Sequence, residues 1–268
     1  MMFYIKLFFT FFKLNLKAQM EYRINFIMSI FHILILQLGN LGLIWVVLDS
    51  FQALREWTFG EIAFLVGLRL LSHGLFTLFL PEIYWGLSNY IVRGEFDRFL
   101  LKPVNPLFLL ITNGIILSGI TDFSSGIVIL WIATKSLGLN WTFINLLILL
   151  VVVFSGLLIE LSAYLATSSV AFWVTNLQTL NFITFQFHEQ YILYPVSIYG
   201  KPIQYFLTFI IPFAFINFYP SAYFLNKPSN LLFHPYFAYL TPIVALISFG
   251  VAYFIWKRGI LAYQSTGS

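Results

Sequence analysis

The side chains best suited to chemistry in this chain are four histidines and a few isolated charges. The histidines are His32, His73, His188 and His234, and wide spacings separate them. His188 is followed by Glu189 but by no second histidine, so the H-E-x-x-H pattern of zinc enzymes is absent. Histidines spaced in this way are more typical of helix packing or of membrane interfaces than of ligand sets. We therefore predict no metal site.

Three charged residues, Arg69, Asp122 and Glu160, lie inside apolar segments long enough to cross a bilayer. A charge at mid-membrane costs roughly 2.5 to 3.5 kcal/mol and tends to face protein or water. At a rise of about 1.5 Å per residue, Arg69 and Asp122 lie at similar depth, which permits an ion pair. Two interpretations remain open for the three residues: they border a polar translocation path, or they form a structural pair without contact to substrate.

Several classes of chemistry are excluded by what the sequence lacks. The nucleotide-binding pattern G-x-x-x-x-G-K-[ST] does not occur, so the chain is not expected to be an enzyme that hydrolyses ATP by itself. With no cysteine there are no disulfides, thiolate metal sites or thiol catalysis. No cofactor is implied.

Charge is concentrated in one short stretch, residues 92–103, which reads VRGEFDRFLLKP. Its charged residues are Arg93, Glu95, Asp97, Arg98 and Lys102, and they alternate with the apolar residues Phe96, Phe99, Leu100 and Leu101. An ordinary basic loop would explain the three bases but not the two acids or the apolar cluster. We predict a short docking helix that forms a transient protein interface.

Composition shows which elements must hold these residues. Of the 268 residues, 60% are hydrophobic and 9% are charged, whereas a soluble domain carries about a quarter charged residues. Continuous apolar segments of 18 or more residues match helices that cross a hydrocarbon core of about 30 Å. The fold class is therefore all-α: a polytopic membrane bundle forming one domain over residues 1–268. The net charge of +4 is read as basic cytoplasmic loops facing lipid, not as nucleic-acid binding.

Hydropathy places spans at residues 24–48, 62–80, 106–132, 143–167 and 237–256. Before them, residues 1–23 combine a lysine-bearing face with a Phe/Leu/Ile face, which predicts an amphipathic helix in the membrane interface rather than a cleaved signal. Nine of the 14 basic residues flank span ends on one side. That excess places both termini and residues 92–103 in the cytoplasm, in a multi-pass protein of the cell (inner or plasma) membrane.

Residues 168–235 allow two arrangements. In the first, residues 168–190 cross the membrane and residues 205–225 return as an external re-entrant hairpin. In the second, residues 168–202 lie on the cytoplasmic face and 205–225 form the fifth span. We favour the first, because Pro195, Pro212 and Pro220 suit broken half-helices better than one continuous span.

Several motifs carry a resemblance to a known family. Residues 93–98 (RGEFDR) with Leu100, Leu101, Lys102 and Pro103 fit the pattern R-G-E-[LF]-D-R-x-L-L-[RK]-P. Further matches are residues 194–200 (YPVSIYG), 207–220 and the ending at 257–259 and 263–268. On these motifs, which cover most of the chain from about residue 88, the sequence resembles permease subunits of type 2 ATP-binding-cassette (ABC) exporters.

The resemblance implies six spans after an interfacial helix, with a re-entrant segment at about 200–225. It also implies that residues 92–103 act as a coupling helix in a cleft of a separate cytoplasmic ATPase. The residues carried over to that role are Arg93, Gly94, Glu95, Phe96, Asp97, Arg98, Leu101, Lys102 and Pro103. Two ATPases and two permeases, identical or related, would form the working unit. A proton-coupled secondary transporter that uses Arg69, Asp122 and Glu160 as relays is the alternative, although the chain shows no paired half-chain symmetry.

Overall fold

The computed structural model describes residues 2–21, 23–51, 57–174, 178–227 and 233–264. Its α-helices are α1 Met2–Glu21, α2 Arg23–Phe51, α3 Phe59–Phe79, α4 Pro81–Trp85, α5 Leu87–Val92, α6 Asp97–Leu100, α7 Pro106–Asn113, α8 Gly119–Ser136, α9 Phe143–Ser169, α10 Gln178–Gln186, α11 Lys201–Tyr205, α12 Phe218–Phe224 and α13 Thr241–Ala262. Short 3₁₀ or π turns lie at Val170–Phe172, Phe187–Tyr191, Val196–Ile198, Phe206–Ile210, Phe213–Phe215 and Pro235–Tyr239. No β-strand forms within the described ranges, so the predicted all-α membrane bundle is confirmed. Residues 52–56 of the first connection and 265–268 of the last motif lie outside them.

Polar residues fix where three of the helices begin. Thr58 and Glu61 form a capping box at the start of α3, where the Thr58 amide donates to Glu61 Oε2 at 2.8 Å. The Asn105 side chain accepts from the Leu107 amide at 2.9 Å before α7, and the Thr142 hydroxyl accepts from the Asn145 amide at 3.2 Å before α9. These side chains satisfy amides that a helix start leaves free.

Four helical stretches are long and apolar enough to cross a membrane: Arg23–Leu48, Phe59–Phe79, Phe143–Phe172 and Thr241–Ala262. Their burial differs greatly, because 72% of the most apolar window of α3 is buried inside the chain and only 11% of that of α2. α3 is therefore the central helix of the bundle, whereas α2 shows its apolar surface to the outside. The total of six spans stays a prediction.

The prediction of one continuous third span over residues 106–132 is wrong. The chain forms α7, leaves helical geometry at residues 114–118 and resumes as α8. Side chains of α1 satisfy backbone groups at this break: Asn15 Nδ2 donates to the Thr112 carbonyl at 3.1 Å, the Gln19 amide donates to the Ile115 carbonyl, and Gln19 Oε1 accepts from the Leu117 amide at 2.8 Å. A broken helix at membrane depth requires such replacement partners. Hydropathy alone did not reveal the break, because residues 114–117 are as apolar as a span.

α1 is a helix, as the sequence predicts, and its lysines are exposed. Lys6, Lys13 and Lys17 point away from the bundle, and no residue of α1 is fully buried. The half-buried stripe that includes Asn15 and Gln19 faces the break between α7 and α8. The interfacial location of α1 stays a prediction, but the helix also has a structural role in covering this break.

The contact between α3 and α8 depends on glycines spaced seven residues apart on both helices. Gly119 of α8 faces the carbonyl of Gly74 in α3, and Gly126 of α8 faces the carbonyl of Gly67, so a side chain at either position would meet the backbone of α3. A Cβ atom at Gly67 would lie 3.1 Å from the Cα atom of Leu130. Small residues let helix backbones approach closely, and the resulting van der Waals packing is one of the forces that associate helices in a membrane.

We expect Gly126→Ala to destabilise the bundle by about 1 to 3 kcal/mol, the range for overpacking a close contact. The added Cβ atom would lie 2.9 Å from the Leu71 amide nitrogen, a backbone atom that cannot rotate away. Gly250→Ala in α13 is the matched control, since nothing lies within 4 Å of its Cβ position. Thermal unfolding of the purified protein should show a lower midpoint for the first variant only. Equal midpoints would contradict the close packing.

The segment after α9 turns back into the bundle. Asn181 contacts Ser88 and Ser168, whereas the Ile192 carbonyl, eleven residues later, accepts from Asn217, which also contacts the Leu65 carbonyl of α3. Residues 178–192 therefore advance along α3 towards its N-terminal end. Which of the two arrangements holds, and whether this segment crosses the membrane, stays a prediction.

The region predicted to be re-entrant contains a sharp bend. The helical stretches Lys201–Ile210 and Phe213–Phe224 meet at 77°, with Pro212 in the break between them. Pro195 directly precedes the 3₁₀ turn Val196–Ile198, and Pro220 is buried within α12. A bend of this kind fits either a broken span or a re-entrant hairpin. The bent pair packs near the N-terminal end of α3, opposite the end that leads to residues 92–103.

Candidate functional site

Residues 92–103 form a compact turn and a single helical turn, not a longer docking helix. α5 ends at Val92, and Gly94 adopts a φ of +73°, a left-handed conformation that favours glycine. The Phe96 amide then donates to the Tyr90 carbonyl at 3.0 Å, which folds the chain back before α6 begins at Asp97. Gly94 therefore sets the direction in which the helical turn is presented.

Two aromatic residues attach this loop to the bundle. Phe96 is fully buried and Phe99 is 3% exposed. The Phe96 ring lies 5.3 Å from that of Phe172, 5.7 Å from that of Trp256 and 5.4 Å from that of Tyr263. The sequence grouped Phe96 with the residues that would contact a partner, but its burial makes it an anchor to the ends of α9 and α13.

The opposite face of the loop is polar and exposed. The exposed members of the predicted set are Arg93, Glu95, Arg98, Leu101, Lys102 and Pro103, and Asp97 and Gly94 are half-buried. Leu101 is 84% exposed, which is unusual for a leucine beside charged residues. Glu95 and Arg98 lie 3.5 Å apart, and the Arg98 guanidinium stacks over the Tyr90 ring at 4.6 Å. An exposed pair of this kind contributes little stability, so its charges are available to a partner.

Tyr90 links the loop to α4. Its hydroxyl donates to Glu82 Oε2 at 2.6 Å. Burial, followed by the hydrogen bond to the Glu82 carboxylate, raises the pKa of the Tyr90 hydroxyl to about 12. The tyrosine therefore stays neutral at physiological pH and keeps donating this hydrogen bond.

A second polar site lies inside the bundle, where α3, α9 and the π turn Phe187–Tyr191 meet. Arg69 Nη1 contacts Glu189 Oε1 at 3.1 Å and donates to the His188 carbonyl at 3.3 Å. His73 Nδ1 lies 2.7 Å from Glu160 Oε1, and His188 Nε2 lies 3.4 Å from Glu160 Oε2. Arg69, Glu160 and His188 are essentially inaccessible to solvent. Five titratable side chains therefore share one apolar environment.

The structure corrects the ion pair predicted between Arg69 and Asp122. Within the described residues Arg69 forms its salt bridge with Glu189, whereas Asp122 accepts a hydrogen bond from Gln37 Nε2 at 3.2 Å. The predicted pair does not form because the two side chains project in different directions. Similar depth on neighbouring helices does not make two side chains face each other. Asp122 faces α2, and Arg69 faces the returning segment 178–191. Glu160 does belong to the cluster, through His73 and His188.

Sequence reasoning did not select His73, His188 or Glu189 as members of this site. His73 follows Arg69 by four residues, which puts both on one face of α3 and was a usable signal. His188 and Glu189 gave no such signal, because their partners lie 28 or more residues away along the chain. Only the return of residues 178–191 into the bundle brings them together.

Comparison with known proteins gives one match. The model of a protein family described as "ABC-2 family transporter protein" matches residues 34–267. No curated protein and no solved structure matches the chain. The matched region includes the 92–103 loop, the buried polar cluster and the bent pair of helices. Because that region covers most of the chain, the protein belongs to the ABC-2 family of membrane transporters and is a permease component of an ABC transport system.

Proposed function

We propose that this chain is the membrane-spanning subunit of an ATP-driven exporter and that residues 92–103 bind its separate cytoplasmic ATPase. Family membership implies an ATP-binding-cassette partner and favours this function over a proton-coupled carrier. The observation that carries the proposal is the division of the loop into two faces. Phe96 and Phe99 are buried in the bundle, while Glu95, Arg98 and Leu101 are exposed.

That division suits the transmission of force. A partner that moves the exposed face also moves Phe96, whose ring contacts carry the displacement to Trp256 of α13 and Phe172 after α9. Packed aromatic rings deform little, so the loop and both helix ends would shift together as a rigid body. ATP binding and hydrolysis in the partner would in this way change the side to which a path through the membrane opens.

The proposed working unit holds two ATPases and two permeases, the second permease being identical or a related chain. Each 92–103 loop would occupy one ATPase. The membrane in question is the cell membrane, with both termini and the loop in the cytoplasm. The bent pair of helices would then lie at the external end, as the re-entrant hairpin that the sequence favours before the last span.

Orientation tests this proposal, and the natural chain contains no cysteine that would interfere. Single cysteines would replace Glu95 in the loop and Lys135 at the far end of α8, both exposed in the structure. Cells would express the permease without an ATPase, so that no partner covers the loop. We expect a membrane-impermeant maleimide to label position 135 in intact cells and position 95 only after permeabilisation. Labelling of position 95 from outside would refute the proposed ATPase contact.

A further inference from the structure

In the buried cluster, the Glu160 carboxylate contacts one ring nitrogen of His73 and one of His188. Glu160, which is fully buried, places Oε1 at 2.7 Å from His73 Nδ1 and Oε2 at 3.4 Å from His188 Nε2. Neither Glu160 Oε2 nor His188 Nε2 forms a hydrogen bond with the described residues, so their 3.4 Å approach is the nearest polar contact described for either atom. When both histidines are neutral, Glu160 is therefore positioned to accept one N–H from each ring.

This arrangement turns the remaining ring nitrogens towards Glu189. His188 Nδ1 lies 3.1 Å and His73 Nε2 lies 3.8 Å from Glu189 Oε1. With their N–H groups directed at Glu160, both nitrogens would present lone pairs to a carboxylate oxygen. A positive charge at this point, either a proton on the rings or a metal ion between the ligand atoms, makes the contact attractive. One ligand atom each from His73, His188 and Glu189 lies within 4.8 Å of the others.

The distances suit a metal ion of the first transition series. With Zn–N and Zn–O bonds of about 2.0 to 2.2 Å, neighbouring ligand atoms of a tetrahedral site lie roughly 3.3 Å apart. The separations of 3.1 Å between His188 Nδ1 and Glu189 Oε1 and of 3.8 Å between His73 Nε2 and Glu189 Oε1 lie close to that value. A carboxylate that accepts the second N–H of a ligating histidine is the usual outer partner of such sites, and here Glu160 would serve two histidines at once. Mixed nitrogen and oxygen ligands favour zinc-like ions over calcium or magnesium.

The net charge of the cluster and a cavity beside it also favour a bound cation. With neutral histidines, Arg69 contributes one positive charge and Glu160 and Glu189 contribute two negative charges, so the cluster carries a net charge of −1 that a bound cation would offset. Glu189 has lone pairs enough to hold Arg69 and an ion together. A cavity of about 140 Å³, bordered by His73, Asp122, Tyr84 and Trp85, leads from the cluster towards α4. The Thr77 hydroxyl lies 3.3 Å from His73 Nε2, and a metal ion bound to that nitrogen would replace this hydrogen bond.

We propose that His73, His188 and Glu189 bind a divalent transition-metal ion of the Zn²⁺ type, which ties the returning segment 178–191 to α3, with Glu160 as the positioning residue behind both histidines. The site does not depend on the proposed ATPase contact, because none of its residues belongs to the 92–103 loop.

The test uses the full chain, purified with a tag that contains no histidine, stripped with chelator and titrated with Zn²⁺ or Co²⁺. We expect one ion per chain, a Zn²⁺-dependent rise in the unfolding midpoint, and the visible absorption of tetrahedral Co²⁺. His73→Gln, His188→Gln and Glu189→Gln should each weaken binding at least 100-fold, and Glu160→Gln about 10- to 100-fold, as outer-partner changes do. The double variant His32→Gln/His234→Gln, at exposed positions, is the matched control and should bind normally.

Three outcomes would overturn the proposal. If the natural chain does not bind Zn²⁺ or Co²⁺ stoichiometrically, the cluster binds protons but no metal ion. Equal binding by the natural chain and by the double variant His73→Gln/His188→Gln would show an adventitious ion only. Loss of binding in His32→Gln/His234→Gln would place the ion elsewhere. If a cluster variant does not fold, the Co²⁺ spectrum of the natural chain still tests the proposal. A tetrahedral protein site absorbs strongly in the visible range, whereas octahedral Co²⁺ absorbs only weakly.

Discussion

Replacing Glu95, Arg98 and Leu101 together by alanine is expected to abolish recovery of the ATPase with the permease. All three side chains are exposed on the face of the loop that points away from the bundle. A residue that dominates an interface contributes about 2 kcal/mol or more, and each 1.4 kcal/mol is a factor of ten in affinity. Loss of even one such residue would weaken binding by roughly 30-fold. Co-expression, purification through the permease and quantification of the ATPase measure the effect.

Two comparisons make this result specific. Lys135→Ala, an exposed charge at the other end of the bundle, should leave ATPase recovery unchanged. Phe96→Ala should act differently, because removal of a buried aromatic ring costs about 3 to 5 kcal/mol of stability and lowers the amount of folded permease. Unchanged ATPase recovery with the triple variant would mean that residues 92–103 are an ordinary basic loop.

Arg69→Leu is expected to destabilise the chain by about 3 to 5 kcal/mol, the usual cost of breaking a buried ion pair from one side. The Arg69 side chain is 1% exposed and its guanidinium contacts Glu189 at 3.1 Å, so its loss leaves Glu189 uncompensated beside two histidines. In protein stripped of metal, the double variant Arg69→Leu/Glu189→Leu should recover much of the lost stability. Heating followed by size-exclusion chromatography of the purified protein measures the surviving folded fraction.

A second double-mutant cycle, matched to that of Arg69 and Glu189, pairs Arg69 with Asp122, the partner that the sequence predicted for it. The two residues form no salt bridge in the described structure, so the effects of Arg69→Leu and Asp122→Asn should nearly add. If the coupling energy between Arg69 and Asp122 is larger than that between Arg69 and Glu189, the result would support the pairing predicted from sequence and contradict the observed geometry.

Much of the architecture follows from composition and local pattern. Low charge and long apolar segments determine a helical membrane bundle, because backbone groups in lipid must be satisfied within each segment. Proline positions predicted a break in the region of the bend at Pro212. The charged loop was recognisable because charge is scarce elsewhere. These features depend on neighbours within a few residues, which a sequence displays directly.

The sequence by itself thus determined the membrane class and the approximate positions of most of the long helices, and it predicted the loop to which a water-soluble partner would bind. The tertiary structure alone decided that Phe96 faces the bundle, that α7 and α8 are separate, that Arg69 pairs with Glu189 and that His73 and His188 share Glu160. Each of these depends on which face of a helix meets a distant segment. Side-chain direction in the bundle is set by packing, such as the close glycine contact of α3 with α8, and packing joins residues far apart in the chain.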